Sequence, residues 1–317
     1  MNFSFIILFL LFIFNGCVKN TISIYVEPSG GFNMTINAHG MKDDILDNDF
    51  PLPENNQWNI ISTIDSNDVD TYDVSAIKHF NPNEYIPENF HINKKNKVHP
   101  LLKHTINVNH SNWILYKKYS ININFTSRIV DKKYPKFMKI INDLESPGHG
   151  WAEEILSYIF KETLNRTNIE FNQKAIIGKD LDTWILREIS TKSDSLIIQS
   201  FYDLKEEGLD LIMHPLNPIF YTEIDSTFNY LQQEYEITKS LIDDEFEIRL
   251  YLPGKLKESN HQDNSMDTLI WNFTLKDFMD KDYSIYATSG IYYKGRTIVT
   301  IVLSLLVLII LLFRRQR

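Results

Sequence analysis

The C-terminal region contains the feature that most constrains this chain, an uninterrupted apolar run at residues 297–313 with no charge and no proline. As a helix, at about 1.5 Å per residue, this run spans roughly 25 Å, close to the hydrocarbon thickness of a thin bilayer. Residues 314–317 follow with three arginines, and such a basic cluster favours the cytosolic side. We therefore predict a single transmembrane helix at 297–313 and a cytosolic tail at 314–317.

A shorter apolar run at residues 3–14 has the length of a signal peptide rather than of a membrane span. We predict a signal peptide at 1–17 and export of the region between the two runs, which gives type I single-pass topology. A GPI-attachment signal is the alternative, because residues 287–290 are small. Such signals end in apolar residues, whereas this chain ends in arginines, so a transmembrane helix is the favoured interpretation.

Composition and motifs exclude several classes of function. The net charge of −9 argues against a nucleic-acid partner, since phosphate binding needs a basic surface. The single cysteine, Cys17, lies in the predicted signal peptide, so we predict no disulfide and no thiol chemistry in the mature protein. There is no phosphate loop, dinucleotide fingerprint or nucleophile elbow, and we predict no cofactor.

The pattern of apolar residues predicts an α+β ectodomain in two parts. Residues 18–112 are rich in proline and turn residues, and are predicted to form an irregular or β-rich N-terminal lobe with strands at 21–26 and 58–64. Residues 113–293 are predicted to form the α+β core. In this core, helices are predicted at 135–144, 151–164, 180–188 and within 226–242, and strands at 116–129, 195–200, 209–213, 247–252, 269–275 and 283–293.

Two of the predicted strands alternate apolar and polar residues, which fixes the face that each buries. We expect one strand to bury Tyr119, Ile121, Ile123 and Phe125, and another to bury Trp271, Phe273 and Leu275. Asn124 and Asn272 fall on the opposite phase, so both should face solvent.

Asn-x-Ser/Thr sequences in an exported chain are candidate N-glycosylation sites. They occur at Asn33, Asn109, Asn124, Asn165 and Asn272. Asn124 and Asn272 are the preferred sites, because a glycan on the polar face of a strand would not meet the core.

Three groups of residues have side chains that could carry out chemistry. Asp68 and Asp70 have the acid-x-acid spacing that can hold a divalent cation, but an exposed acidic turn is the favoured interpretation. His149 and Glu153 are four residues apart and could share a proton, yet the same residues suit a turn followed by the first turn of a helix. His91, His99, His104 and His110 match no zinc-site spacing and indicate dispersed surface histidines.

The favoured hypothesis is a non-catalytic type I membrane glycoprotein of the endoplasmic reticulum that acts on a protein partner as an accessory subunit or folding and assembly factor. A span of about seventeen residues suits the thinner reticulum membrane. Arg314 and Arg315 lie where dilysine retrieval signals lie, although a simple stop-transfer cluster is the favoured interpretation. A surface or envelope glycoprotein that binds a receptor is one alternative. A lumenal metal-dependent enzyme for sugar transfer or hydrolysis is the other.

Overall fold

The structure is a computed structural model that describes residues 18–45, 52–53, 57–64, 71–86, 103–143, 150–265 and 267–315. Strands and helices mix in an α+β fold, as the sequence predicts. The strands are β1 (Lys19–Val26), β2 (Phe32–Met41), β3 (Asn59–Ile64), β4 (Thr71–Phe80), β5 (His104–Asn112), β6 (Tyr116–Phe125), β7 (Glu245–Tyr251), β8 (Lys255–Ser259), β9 (Asp263–Ser265), β10 (Thr268–Phe273) and β11 (Tyr283–Tyr292).

The described strands form two sheets. The larger has the order β3-β4-β2-β1-β7-β10-β9, and the smaller has the order β5-β6-β11-β8. β1 pairs parallel with β7, and the other pairs in both sheets are antiparallel. Strands from the predicted lobe and from the predicted core therefore share both sheets, so the change of pattern near residue 112 does not mark a break in either sheet.

Most of the described helices lie between β6 and β7, and they are here called the helical segment. It comprises α2 (Val130–Lys133), α3 (Pro135–Asp143), α4 (Trp151–Arg166), α5 (Phe171–Trp184), a π-helical turn (Ile185–Ile189), α6 (Asp194–Gln199), α7 (Phe201–Met213), a 3-10 turn (Pro218–Phe220) and α8 (Tyr221–Ser240); the short helices α1 (Lys42–Ile45) and α9 (Leu275–Phe278) lie among the strands. Buried Arg128 ties this segment to the end of β6, since its guanidinium donates to the carbonyl of Glu234 at 2.7 Å and to Thr238 Oγ1 at 2.8 Å.

One continuous hydrophobic cluster joins both sheets and the helical segment. The alternating strands contribute to it as the sequence predicts, because Tyr119, Ile121, Ile123 and Phe125 of β6 are buried, and so are Trp271 and Phe273 of β10. The strand predicted at 269–275 ends at Phe273, because Thr274 caps a helix, and Leu275 is buried as the first residue of α9. The rings of Phe125 and Phe273 meet across the sheets with centroids 4.8 Å apart.

The structure corrects several predicted elements. Residues 195–200 and 209–213 were predicted to be strands, but they belong to α6 and α7. Short apolar runs do not distinguish a strand from one face of a helix. In α6 the buried residue is Ile197, and in α7 the buried residues Leu204, Gly208, Leu209 and Ile212 have helical spacing. The strand predicted at 116–129 ends at Phe125, and Ile129 has a positive φ of 55°. The helix predicted at 180–188 is the end of α5 continued by the π-helical turn.

The C-terminal apolar run forms one helix, α10 (Lys294–Arg315). A single residue, Tyr293, separates this helix from the end of β11 at Tyr292. The helix is long and apolar enough to cross a membrane, and its apolar window is not buried against the rest of the described chain. At 22 residues, α10 would span about 33 Å, so the prediction of a single C-terminal helix that could span a membrane is confirmed.

Candidate functional site

The candidate metal and acid–base residues lie largely outside the described part of the chain. Asp68, Asp70 and His149 lie outside it, so the structure gives no geometry for the acidic pair or for a His149–Glu153 pair. Glu153 is described, in the first turn of α4, where it accepts a hydrogen bond from Ser190 Oγ at 2.6 Å. Its neighbour Glu154 accepts from the backbone N–H of Lys136 at 2.7 Å. Both carboxylates connect helices, which is a structural use of these acids.

The candidate histidines do not converge where they are described. His91 and His99 lie outside the described residues, while His104 and His110 are at opposite ends of β5. The His104 ring stacks on Phe125 with centroids 5.3 Å apart. Within the described ranges, no group of three or more His, Cys, Asp or Glu side chains could hold a metal ion.

The candidate glycosylation sites differ in exposure. Asn109, Asn165 and Asn272 are exposed, whereas Asn33 and Asn124 are half-buried. Asn124 lies on the face of β6 away from the core, as predicted, but its amide donates to Asp282 Oδ2 at 3.3 Å and accepts from Ser284 Oγ at 2.7 Å. Asn33 Oδ1 accepts a hydrogen bond from His79 Nδ1 at 3.0 Å. Asn272 is thus the more accessible of the two preferred sites.

The most unusual surface of the described chain is the free edge of the larger sheet. β3 is the edge strand, and all six of its residues are exposed. Its sequence, Asn-Ile-Ile-Ser-Thr-Ile, has no charge and no proline. Edge strands usually carry charged residues or proline, because these prevent pairing with another chain. Edge strand β8, for example, has Lys255, Lys257 and Glu258. β3 lacks this protection.

Apolar side chains are exposed on both faces of β3. Ile60 is paired with Ala76 of β4 and so shares its face, yet Ile60 is 43% exposed and Ala76 is buried. The core therefore ends between these two strands. Ile64 is 63% exposed on the same face, and Ile61 is 49% exposed on the other. Among the described residues, no strand pairs with the outer side of β3. This edge therefore combines unpaired backbone groups with apolar side chains, the combination that binds an extended polypeptide by strand addition.

A cleft lies between the two sheets, at the carboxyl ends of the parallel strands β1 and β7. The cleft has a volume of about 710 Å³, within the range of ligand pockets. The rings of Tyr25 and Tyr251 stand side by side at its rim, with centroids 5.9 Å apart. The lining residues are Tyr25, Val26, Pro28, Tyr251, Leu252, Pro253, Gly254, Leu256, Asp267, Thr268, Leu269 and Ser289.

One wall of this cleft is the β1–β2 turn, which a buried lysine holds in place. Lys117 Nζ donates to the carbonyls of Pro28 and Ser29, both at 2.7 Å, and Tyr119 Oη donates to Pro28 at 2.8 Å. Burial lowers the pKa of Lys117 and raises the pKa of Tyr119 to about 12, so the tyrosine remains a donor. Burial, with the nearby Lys117 charge, also lowers the pKa of His110, whose ring packs against Gly30.

The polar side chains that line the cleft are mainly hydroxyls, from Tyr25, Tyr251, Thr268 and Ser289. Its lining includes one carboxylate, Asp267, and among these described residues no histidine, lysine or arginine faces it. General acid–base catalysis needs paired proton donors and acceptors within hydrogen-bond reach of a substrate. Sequence reasoning missed the cleft, because its walls come from four separate segments, at 25–28, 251–256, 267–269 and 289. The edge strand could have been suspected from its uncharged sequence, although its position in the sheet could not.

Comparisons with known proteins add little. No protein-family model matches the chain, and no curated protein matches it. The NMR structure of the folded domain of LppM from Mycobacterium tuberculosis is 8% identical, and the match covers 89% of this chain and 95% of that chain with a TM-score of 0.30. At this score the likeness carries no argument about fold or function.

Proposed function

We propose that this chain is a membrane-anchored, non-catalytic accessory or assembly factor whose ectodomain binds a partner polypeptide along β3. The observation that carries the proposal is the uncharged edge strand with Ile61 and Ile64 exposed. An added strand would pair with the free backbone groups of the edge, and its side chains would cover these isoleucines. The candidate membrane helix would hold this edge near other proteins of the same membrane.

We take the cleft as a binding surface, because its described lining has a single carboxylate, Asp267, and no histidine, lysine or arginine that could pair with it in proton transfer. The metal-dependent alternative depends on Asp68 and Asp70, which the described ranges do not include. For location, we propose the endoplasmic reticulum with a lumenal ectodomain, because the uncharged run at 297–313, unlike the whole of α10, is only about as long as the thinner reticulum membrane, and because the chain has Asn-x-Ser/Thr sites. Glycans on Asn272 that endoglycosidase H removes would support this location. Resistant glycans together with plasma-membrane staining would favour the surface-glycoprotein alternative.

The test of partner binding is the size of the native complex. The full chain is solubilised from membranes in mild detergent and separated by blue native electrophoresis. We expect Ile61→Lys to shift the protein from a complex to the free form, because a buried unpaired lysine is costly. Ile198→Lys is the matched control, since Ile198 is 50% exposed on α6 and Ile61 is 49% exposed. Equal mobility of the wild type and both variants would contradict the proposal.

A further inference from the structure

The end of the β5–β6 hairpin exposes apolar residues beside the start of α10. The turn is tight, with the backbone N–H of Trp113 donating to Tyr116 O at 2.7 Å. Trp113 is 67% exposed and Ile114 is 77% exposed. Exposed tryptophan and isoleucine at the tip of a rigid hairpin have no role in the core of this fold.

Hydrogen bonds fix the position of this tip relative to the helix. The backbone N–H of Tyr293 donates to Leu115 O at 3.0 Å, and Tyr293 O accepts from Thr297 N in the first turn of α10 at 3.0 Å. The hairpin and the helix are therefore joined through one residue. If α10 enters a bilayer, this connection places the hairpin tip at the level of the lipid headgroups.

Aromatic and cationic side chains surround the same point. The Tyr116 and Tyr292 rings pack with centroids 5.0 Å apart, and Lys257 Nζ lies 4.1 Å from the Tyr116 centroid. The Arg296 guanidinium lies 4.3 Å from the Tyr293 centroid. Three further exposed cations lie near this point: Lys118 at the start of β6, Lys255 at the start of β8 and Lys294 in the first turn of α10.

We propose that Trp113, Ile114, Tyr116, Lys257, Tyr292 and Arg296, here called the juxtamembrane collar, form a second membrane contact. Trp113 and Ile114 insert among the phospholipid headgroups of the leaflet that α10 enters, and the collar cations donate hydrogen bonds to lipid phosphates. Tryptophan and tyrosine favour this interface because one end of each ring system is apolar and the other can hydrogen-bond. Lysine and arginine beside a helix end also reach the headgroups. The ectodomain then contacts the membrane both through α10 and through the juxtamembrane collar. These two contacts set the orientation of the ectodomain on the membrane.

The test uses the fluorescence of Trp113 in the full chain, reconstituted in phosphatidylcholine vesicles whose acyl chains are brominated near the headgroup. The other tryptophans are shielded, since Trp58, Trp184 and Trp271 are buried and Trp151 is half-buried. We expect the brominated lipid to quench a blue-shifted component of the emission, and Trp113→Phe to lose that component. Phosphatidylcholine has no net charge, so quenching would show insertion without help from anionic lipid.

A matched control places tryptophan elsewhere on the surface. Phe171, at the start of α5, is 83% exposed, and Phe171→Trp in the Trp113→Phe background should be quenched by aqueous iodide and not by brominated lipid. Protease protection of α10 confirms insertion of the helix in each preparation. Quenching of Trp113 by iodide alone, with α10 inserted, would overturn the proposal, and so would equal lipid quenching at positions 113 and 171.

Discussion

The backbone N–H of Tyr293 donates to the carbonyl of Leu115 at 3.0 Å, and this bond joins the β5–β6 hairpin to the residue before α10. It makes the junction between the ectodomain and the candidate membrane helix a fixed connection, because both sides of the junction are regular elements. A junction of this kind transmits the tilt of the helix to the sheets.

The first prediction concerns this junction. Tyr293→Pro removes the donor, while proline is tolerated just before a helix. We expect a broader distribution of distances between spin labels at positions 112 and 298, measured by pulsed EPR in vesicles. Tyr293→Ala keeps the N–H and should retain the narrow wild-type distribution. Equal widths for the proline and alanine variants would show that the bond does not hold the junction.

The second prediction concerns the buried ammonium group of Lys117. Lys117→Met removes the bonds that the ammonium group donates to the carbonyls of Pro28 and Ser29, and a hydrogen bond to a charged group contributes about 1.5–3 kcal/mol. Urea unfolding of the full chain in micelles should show a loss of this size. Lys118→Met, at the exposed neighbouring position, should change stability by less than about 0.5 kcal/mol. Equal effects at the two positions would contradict the role given to Lys117.

The third prediction concerns pH. Burial acts to raise the pKa of Glu247, but hydrogen bonds and charges from Arg249 and Lys19 outweigh it, so the pKa lies below its usual 4.5. A depressed carboxyl pKa contributes stability above pH 4.5, which is lost as pH falls through the folded-state pKa. Glu247→Gln should cost about 1 kcal/mol at pH 7, and the difference from wild type should shrink below pH 4.5. A difference that stays constant down to pH 3 would contradict the assignment.

The fourth prediction compares two glycines in helices. A Cβ on Gly208 of α7 would lie 2.3 Å from Cζ of buried Phe160, whereas a Cβ on Gly178 of α5 would lie 3.7 Å from its nearest neighbour, on Leu164. Gly178→Ala should therefore stabilise the protein by about 0.5–1 kcal/mol through helix propensity. Gly208→Ala should destabilise it by about 1–3 kcal/mol through overpacking. Thermal unfolding of both variants checks the sign, and a stabilised Gly208→Ala would be the contradictory result.

Long periodic patterns predicted the fold well. The alternation of buried and more exposed residues from Tyr119 to Phe125 and around Trp271 is found as predicted. A strand that buries one face can adopt only one register, because a shift by one residue would expose its apolar side chains. The helix predicted at 151–164 is α4, and the strand predicted at 283–293 is β11.

Short or interrupted patterns were misleading. Residues 195–200 and 209–213 have too few apolar positions to show their period, and tertiary packing decides that they are helical. β2 and β4 were missed within the region of scattered turn residues, although Phe32, Met34, Ile36 and Ala38 alternate. The sheet order was not predictable, since parallel pairing of β1 with β7 joins segments separated by more than two hundred residues. Because the cleft and the exposed edge depend on that order, no local pattern could reveal them.

Photo-cross-linking from β3 in intact membranes tests partner binding most directly. A benzophenone amino acid at position 61 should give one adduct of discrete mass, and Ile64→Lys in the same chain should abolish it. The same probe at position 198, where the exposed fraction is equal within one per cent, should give no such adduct. An identical adduct pattern at positions 61 and 198, or no adduct at position 61, would contradict the proposal that this edge binds a partner polypeptide.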